Sequence, residues 1–182
     1  MSNGTNVRKR SGLYESLDLN KMHKMVDEAC KDLAGVSASQ VEINSGVQFY
    51  DGITTAEIQE ILIKSASDLI ELDSPNYQFV AARLLLFSVR KRLWGRIHEP
   101  LTLGDHITKC IKEGVYDSHF TSKYTDEEID ELDSYIDHDR DYLFTYAGLR
   151  QVTDKYLIQD RSTGELYETP QFMYLMIAAT MF

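Results

Sequence analysis

Cysteine, proline and tryptophan are scarce in this chain of 182 residues, which holds two Cys, three Pro and one Trp. Cys30 and Cys110 stand far apart and outside any CxxC pair, so neither a zinc ribbon nor a redox dithiol is encoded, and buried thiols in a reducing compartment are expected. No apolar run follows the cations near the N-terminus, which excludes a secretory signal. The longest apolar stretch, residues 172–182, is too short to cross a bilayer. A cytoplasmic protein with no membrane partner is therefore expected. The two commonest phosphate loops, GxxxxGK[ST] and GxGxxG, are missing. No Ser or Cys stands in a nucleophile setting, and His23, His98, His106 and His119 are scattered, so no catalytic triad is expected. The segment Asp137-His138-Asp139-Arg140-Asp141 has ligand-type side chains. Without a second histidine cluster it reads as a charged, capped turn between helices, and no metal is assigned.

Positive charge is also short. The formal charge is −10, and because phosphate binding is driven by Lys and Arg, wholesale wrapping of nucleic acid is excluded. The first 24 residues depart from this balance, with five Lys or Arg against two carboxylates. They contain a basic hairpin, Val7-Arg8-Lys9-Arg10-Ser11-Gly12, leading through Glu15 and Asp18 into a helix. Most of the acidity lies between Asp117 and Glu168, with 14 carboxylates against five Lys or Arg.

What is present is the composition of an ordinary globular protein, 43% hydrophobic and 26% charged, with room for one domain and part of another. Leu19, Met22, Met25, Val26, Ala29, Cys30 and Leu33 recur at helical spacing behind Asp18 as N-cap. Ser37 to Gln40 has capping-box spacing before a short helix through Val41 and Ile43, and Tyr50-Asp51-Gly52 reads as a turn. The box Thr54-x-x-Glu57 opens a helix with Ile58, Ile61, Leu62, Ala66, Leu69 and Ile70 on one face, and Thr55 falls in its first turn. After the stop at Asp73-Ser74-Pro75, a helix runs from Tyr77 towards Trp94 and ends with the cations Arg90, Lys91 and Arg92. Gly95 to Pro100 is the expected domain boundary. A helix follows from Leu103 to Ile111. A third box at Thr125-x-x-Glu128 starts an acidic helix, and residues 156–167 read as a hairpin turning at Gly164. Thr169-Pro170 opens a last helix that is apolar on nearly every side. Such a helix is expected to be buried all round, by further chain or by a second polypeptide.

Lys9 and Arg10 on the hairpin, Thr55 at a helix start and Lys91 on another helix suit a phosphate chain. Helix N-termini offer free N–H groups, and a carboxylate such as Glu15 can orient a base or sugar. From the residues alone, a solvated basic surface and an anion site both stay open, and Glu15 equally suits an ion pair with Lys21.

The stretches Val7-x-Lys9-Arg10-x-Gly12-x-x-Glu15, Lys21, Ser39-Gln-Val-Glu42 and Gln48-Phe-Tyr-Asp-Gly-Ile-Thr-Thr55 resemble the ATP-cone of the large subunit of class I aerobic ribonucleotide reductase. The likeness continues through residues 73–83, 135–141, 155–161 and 164–168, and so covers nearly the whole chain. It implies an α+β, mostly α fold. An ATP-cone made of a β-hairpin and a helical bundle would fill residues 1–95. Residues 96–182 would form an incomplete helical lead-in with the first hairpin of the reductase barrel. The resemblance implies allosteric control by ATP or dATP, with Lys9 and Lys91 on phosphates, Arg10 supporting the triphosphate, Glu15, Asp18 and Lys21 around the nucleoside, and Thr55 at the phosphate end. The implied partners are the remainder of the large subunit, a second large subunit, the radical-generating small subunit, and thioredoxin or glutaredoxin. The implied reaction is thiyl-radical reduction of ribonucleoside diphosphates, whose cysteines are not in this chain. A stand-alone ATP-cone sensor and a plain helical interaction module are the alternatives. The chain departs from the family at Gln59 and Ser88, where several members carry histidine, and at Asp18, where asparagine is frequent. A carboxylate near a polyanion is unfavourable unless it is turned away as a cap, so ATP binding with weak or absent dATP inhibition is expected.

Overall fold

The computed structural model describes residues 5–9, 12–46 and 48–182. They pack as two compact units, residues 1–88 with 142–150 and residues 89–141 with 151–182. Among the described residues no helix is long and apolar enough to cross a membrane.

The first unit begins with strands β1 (Asn6–Arg8) and β2 (Tyr14–Ser16), paired antiparallel so that Val7 faces Glu15. Helices α1 (Leu19–Cys30) and α2 (Ala38–Gly46) follow, and strand β3 (Ile53–Thr54) returns to lie parallel to β1. The sheet order is therefore β2-β1-β3. Helix α3 (Thr55–Ser67) leaves β3 directly, and α4 (Tyr77–Trp94) starts after the Asp73-Ser74-Pro75 stop, as its spacing predicts. Val7, Val26, Ile53, Leu62, Ile63, Val80, Leu84 and Phe87 are buried, each worth roughly 1.5–3 kcal/mol of apolar burial. Two polar side chains close gaps that apolar packing leaves. The Arg83 guanidinium donates to the carbonyls of Ala29 and Lys31 at 3.2 and 2.6 Å, satisfying the open C-terminus of α1. Asn76 donates its amide to the Ala34 carbonyl at 2.8 Å. The expected apolar face of α3 is corrected at its end. Asp68 caps the helix and pairs with Lys64 at 2.7 Å, so the turn stops there and leaves Ile70 exposed, while Ile63 takes an inward position.

The second unit contains α5 (Leu103–Lys112), the four-residue α6 (Phe120–Lys123) and α7 (Asp126–Ser134), then a 3-10 turn over His138–Leu143. In the first unit α8 (Tyr146–Gln151) follows, leading into a π-helical turn, Val152–Tyr156. Strands β4 (Gln159–Asp160) and β5 (Glu165–Leu166) form the hairpin, and α9 (Pro170–Met181) closes the second unit. Leu103, Ile107, Ile129, Phe172 and Met176 form its core. Thr125 and Glu128 make both bonds of the capping box, and Pro170 holds the first position of α9. Within these residues Phe172, Met173, Met176 and Ala179 of α9 are covered, whereas Ile177 is 55% and Met181 73% exposed, the sides that the expectation left to further chain or a second polypeptide.

Candidate functional site

The sheet assembles the basic hairpin and a helix start in one place. Register pairs Arg8 with Thr54 across the parallel β1–β3 ladder, so Lys9 and Thr55 are the next residues along the chain at the same end of that ladder. Residues distant in sequence meet because Asp51 accepts hydrogen bonds from the Asn6 backbone N–H at 2.8 Å and its side-chain amide at 3.0 Å, and the Gly52 N–H donates to the Asn6 carbonyl at 2.8 Å. Gly52 sits at φ +84°, a backbone region where a side chain is strained. That turn aims Thr54 into its role as N-cap. The Glu57 N–H donates to Thr54 Oγ1 at 3.1 Å and the Thr54 N–H to Glu57 Oε2 at 2.8 Å, completing the expected capping box. The Thr54 hydroxyl also donates to Glu57 Oε2 at 2.7 Å, and this bond, ahead of the backbone one, holds the Glu57 carboxyl below the usual carboxylate range. Thr55 is thus the first residue of a 13-residue helix, at the positive end of its dipole.

Lys9 closes the hairpin from both sides. Its backbone N–H donates to the Leu13 carbonyl at 2.8 Å, its carbonyl accepts from the Gly12 N–H at 2.9 Å, and its ammonium reaches Glu15 Oε1 at 2.6 Å. Glu15 therefore pairs with Lys9, and Lys21 pairs with Asp18 at 3.6 Å. Asp18 is the N-cap of α1, accepting from the backbone N–H groups of Asn20 at 3.0 Å and Lys21 at 3.1 Å. The Lys21 backbone bond is the main reason its carboxyl lies below the ordinary aspartate value. Lys91 occupies the last turn of α4, where it is half-buried in the second unit. Arg10 lies outside the described residues.

Other residues of the first unit acquire roles that the sequence did not signal. The Tyr50 hydroxyl donates to Glu57 Oε1 at 2.9 Å, which raises the phenol's pKa and ties the Asp51-Gly52 turn to the first turn of α3. His23 bonds Glu42 at 2.9 Å, joining α1 to α2. Gln59, only 6% exposed, donates its amide to the Leu84 carbonyl at 2.9 Å, bridging α3 to α4, and Ser88 is likewise buried. The Asp-Gly dipeptide is a turn signal; nothing in the local pattern marks Gln59 or Tyr50.

The second unit buries polar chemistry of a different kind. His106 stacks on Phe172 at 4.2 Å and meets the Tyr116 hydroxyl at 3.1 Å; that hydroxyl donates to Glu168 Oε2 at 2.9 Å, and Glu168 Oε1 accepts the Ile158 N–H at 2.8 Å. Burial lowers the His106 pKa to about 4 and raises that of Glu168. Cys110, beside His106, and Cys30 in α1 both have thiols raised to about 11, chiefly by burial, so both are protonated at neutral pH and unsuited to nucleophilic work. The expected charged turn at residues 137–141 is only half right. Asp137 does cap it, accepting the Asp139 N–H at 3.0 Å, but Asp141 is 1% exposed. It accepts from the Gln171 amide at 3.0 Å and lies 3.9 Å from the Arg90 guanidinium, which also donates to the His138 carbonyl. Charge alternation alone cannot show that one carboxylate of the three turns inward. Among the described residues no group of three or more His, Cys, Asp or Glu side chains is arranged to hold a metal.

A three-stranded sheet that sets a basic hairpin beside a helix N-terminus belongs to the ATP-cone class of allosteric nucleotide-binding domain, and the family pattern described as ATP cone domain matches residues 5–92. A second pattern, described as ribonucleotide reductase, all-alpha domain, matches residues 142–182 and so includes the β4–β5 hairpin and α9. The chain is 49% identical over 176 residues to ribonucleoside-diphosphate reductase 1 subunit alpha of Escherichia coli (strain K12), covering 97% of this chain and 23% of that protein. It is 46% identical over 182 residues to the subunit alpha of Haemophilus influenzae (strain ATCC 51907 / DSM 11121 / KW20 / Rd), covering 100% of this chain and 24% of that one. The subunit alpha of Enterobacteria phage T4 is 43% identical over 178 residues, covering 97% of this chain and 23% of that one. The chain belongs to the ribonucleoside-diphosphate reductase alpha-subunit family and matches its N-terminal portion. It spans about a quarter of the length of these relatives.

Proposed function

We propose that this chain is the nucleotide-sensing part of a ribonucleoside-diphosphate reductase large subunit, with residues 1–95 as the regulatory domain, and that ATP or dATP binds as allosteric effector at the hairpin and the start of α3. The observation that carries this reading is the parallel register that pairs Arg8 with Thr54, so that Lys9 and Thr55, the next residue of each segment, leave the same end of the β1–β3 ladder and offer an ammonium and a helix N-terminus to a triphosphate. Lys9 and Lys91 bind phosphate oxygens, Arg10 supports the triphosphate, and Thr55 contacts its end. Glu15, Asp18 and Lys21 surround the nucleoside. Arg10 and Lys91 are assigned on the resemblance, and both lie within the ATP cone match. Bound nucleotide competes with the Lys9–Glu15 pair, an exposed contact worth at most about 1 kcal/mol and cheap to exchange for phosphate.

Asp18 spends its carboxylate on the α1 amides, which keeps its charge compatible with a nearby polyanion. Gln59 spends its amide on Leu84, so no imidazole stands where several family members have one. This supports ATP binding with weak or absent dATP inhibition. The effector acts on reduction of ribonucleoside diphosphates by the complete subunit, working as a dimer with a small radical-generating subunit and with thioredoxin or glutaredoxin as reductant. Isothermal calorimetry of the folded chain tests the binding: saturable heat with ATP is expected, reduced at least tenfold in affinity by Lys9→Ala. An intact fold giving no heat with ATP rejects the reading.

A further inference from the structure

Tyr50 stands at the head of the turn that leads into β3, and its side chain reaches forward to the first turn of α3. Its hydroxyl donates to Glu57 Oε1 at 2.9 Å, while Glu57 Oε2 accepts from both the backbone N–H and the hydroxyl of Thr54. Both carboxylate oxygens are therefore engaged, although Tyr50 and Glu57 are exposed. A capping box needs only the bonds between Thr54 and Glu57. The tyrosine bond is additional, and it joins the cap to a residue outside the helix. The hydroxyl is a dependable donor, because its hydrogen bond to Glu57 raises the phenol's pKa and keeps it protonated at neutral pH.

Charge gives this third donor a use. Thr55 is the first residue of α3 and Glu57 the third, so a carboxylate lies within one turn of the residue read as meeting the phosphate end. It is ionised at neutral pH, since the bond from the Thr54 hydroxyl holds its pKa below the ordinary value. A negative side chain itself favours a helix N-terminus, and there it repels a second anion. Held through Oε2 alone, the carboxylate can pivot and turn Oε1 outward; held through both oxygens, it cannot. We infer that Tyr50 is a positioning residue of the effector site: its hydroxyl pins the Glu57 charge to the cap, so that the carboxylate does not turn towards the triphosphate. The inference rests on the nucleotide reading of the hairpin and the start of α3, and it adds to that site a residue that acts through Glu57 rather than on the nucleotide itself.

Isothermal calorimetry of the 182-residue chain with ATP tests this on the unaltered protein, Tyr50→Phe, Glu57→Gln and the double variant. Tyr50→Phe is expected to weaken ATP binding about three- to tenfold relative to the unaltered chain, and that ratio is expected to shrink when salt is raised from about 0.05 to about 0.5 M, as a charge effect must. In the Glu57→Gln background the same change is expected to alter affinity less than about twofold, because no charge is left to pin. Glutamine still offers its carbonyl oxygen to a donor, so a tyrosine that only braced the turn would cost the same in both backgrounds. Tyr50→Phe removes one oxygen from an exposed ring, and circular dichroism with a urea midpoint confirms that each variant is folded. A loss of equal size in both backgrounds, a loss indifferent to salt, or no loss at all overturns the inference and leaves the nucleotide reading standing. An unaltered chain that gives no heat with ATP rejects the nucleotide reading itself and takes this inference with it.

Discussion

Glu15, Asp18 and Lys21 are exposed and Lys9 is half-buried, yet each has a fixed partner: Glu15 holds Lys9 and Asp18 holds Lys21. The sequence supplied the residues but left the pairing open, because ion pairs follow hairpin register and cap geometry rather than residue type. Gln59 gives a sharper test. Removing its buried bond to the Leu84 carbonyl, which the α4 helix still satisfies, loses the bridge from α3 to α4, so Gln59→Leu is expected to destabilise by about 0.5–1.5 kcal/mol, read from urea denaturation. His106 makes a pH prediction. Burial holds its pKa at about 4, below the unfolded value of 6.5, so the unfolded chain takes up a proton first. The resulting stability is fully present above about pH 6.5 and is lost as the pH falls towards 4. His138, also lowered to about 4 mainly by burial, works in the same direction. Asp141, raised to about 6 by burial, works oppositely, the folded state holding the extra proton between about 6 and 3.8. His106→Phe is therefore expected to lose about 1–3 kcal/mol less than the unaltered chain between pH 7 and pH 4.5, measured from unfolding midpoints at both values.

Helix boundaries were the most legible elements. Asp18, Thr54, Thr102 and Thr125 all cap helices, since a short polar side chain before an apolar run satisfies amides that nothing else can reach. Strand β3 was not legible: two residues long, it forms only because Asp51 and Gly52 bind Asn6. Gly52→Ala tests how far that turn builds the site. A side chain at φ +84° costs about 1–2 kcal/mol, and the displaced β3 is expected to weaken ATP binding several-fold by calorimetry while the unaltered chain binds normally. Thr125→Ala should lower stability by about 1 kcal/mol and leave ATP heat unchanged, because its cap lies in the other unit.

On the proposed function, reduction of ribonucleotides falls to residues other than these. Cys30 and Cys110, raised to about 11, are unsuited to thiol exchange at neutral pH. Assayed alone with ribonucleoside diphosphate and a dithiol, the chain is expected to give no deoxyribonucleotide while still binding ATP. Turnover by the chain alone would refute that division of labour. The sequence by itself determined the capped helices and where positive and negative charge collect, because local propensity, charge and cap chemistry act over a few residues. Only the tertiary structure decided that β3 lies beside β1 with Arg8 opposite Thr54, that Gln59 bonds Leu84, and that Asp141 turns inward. Those outcomes depend on strand register and on which buried polar atoms can find a partner, and both are set by packing between segments far apart in the chain.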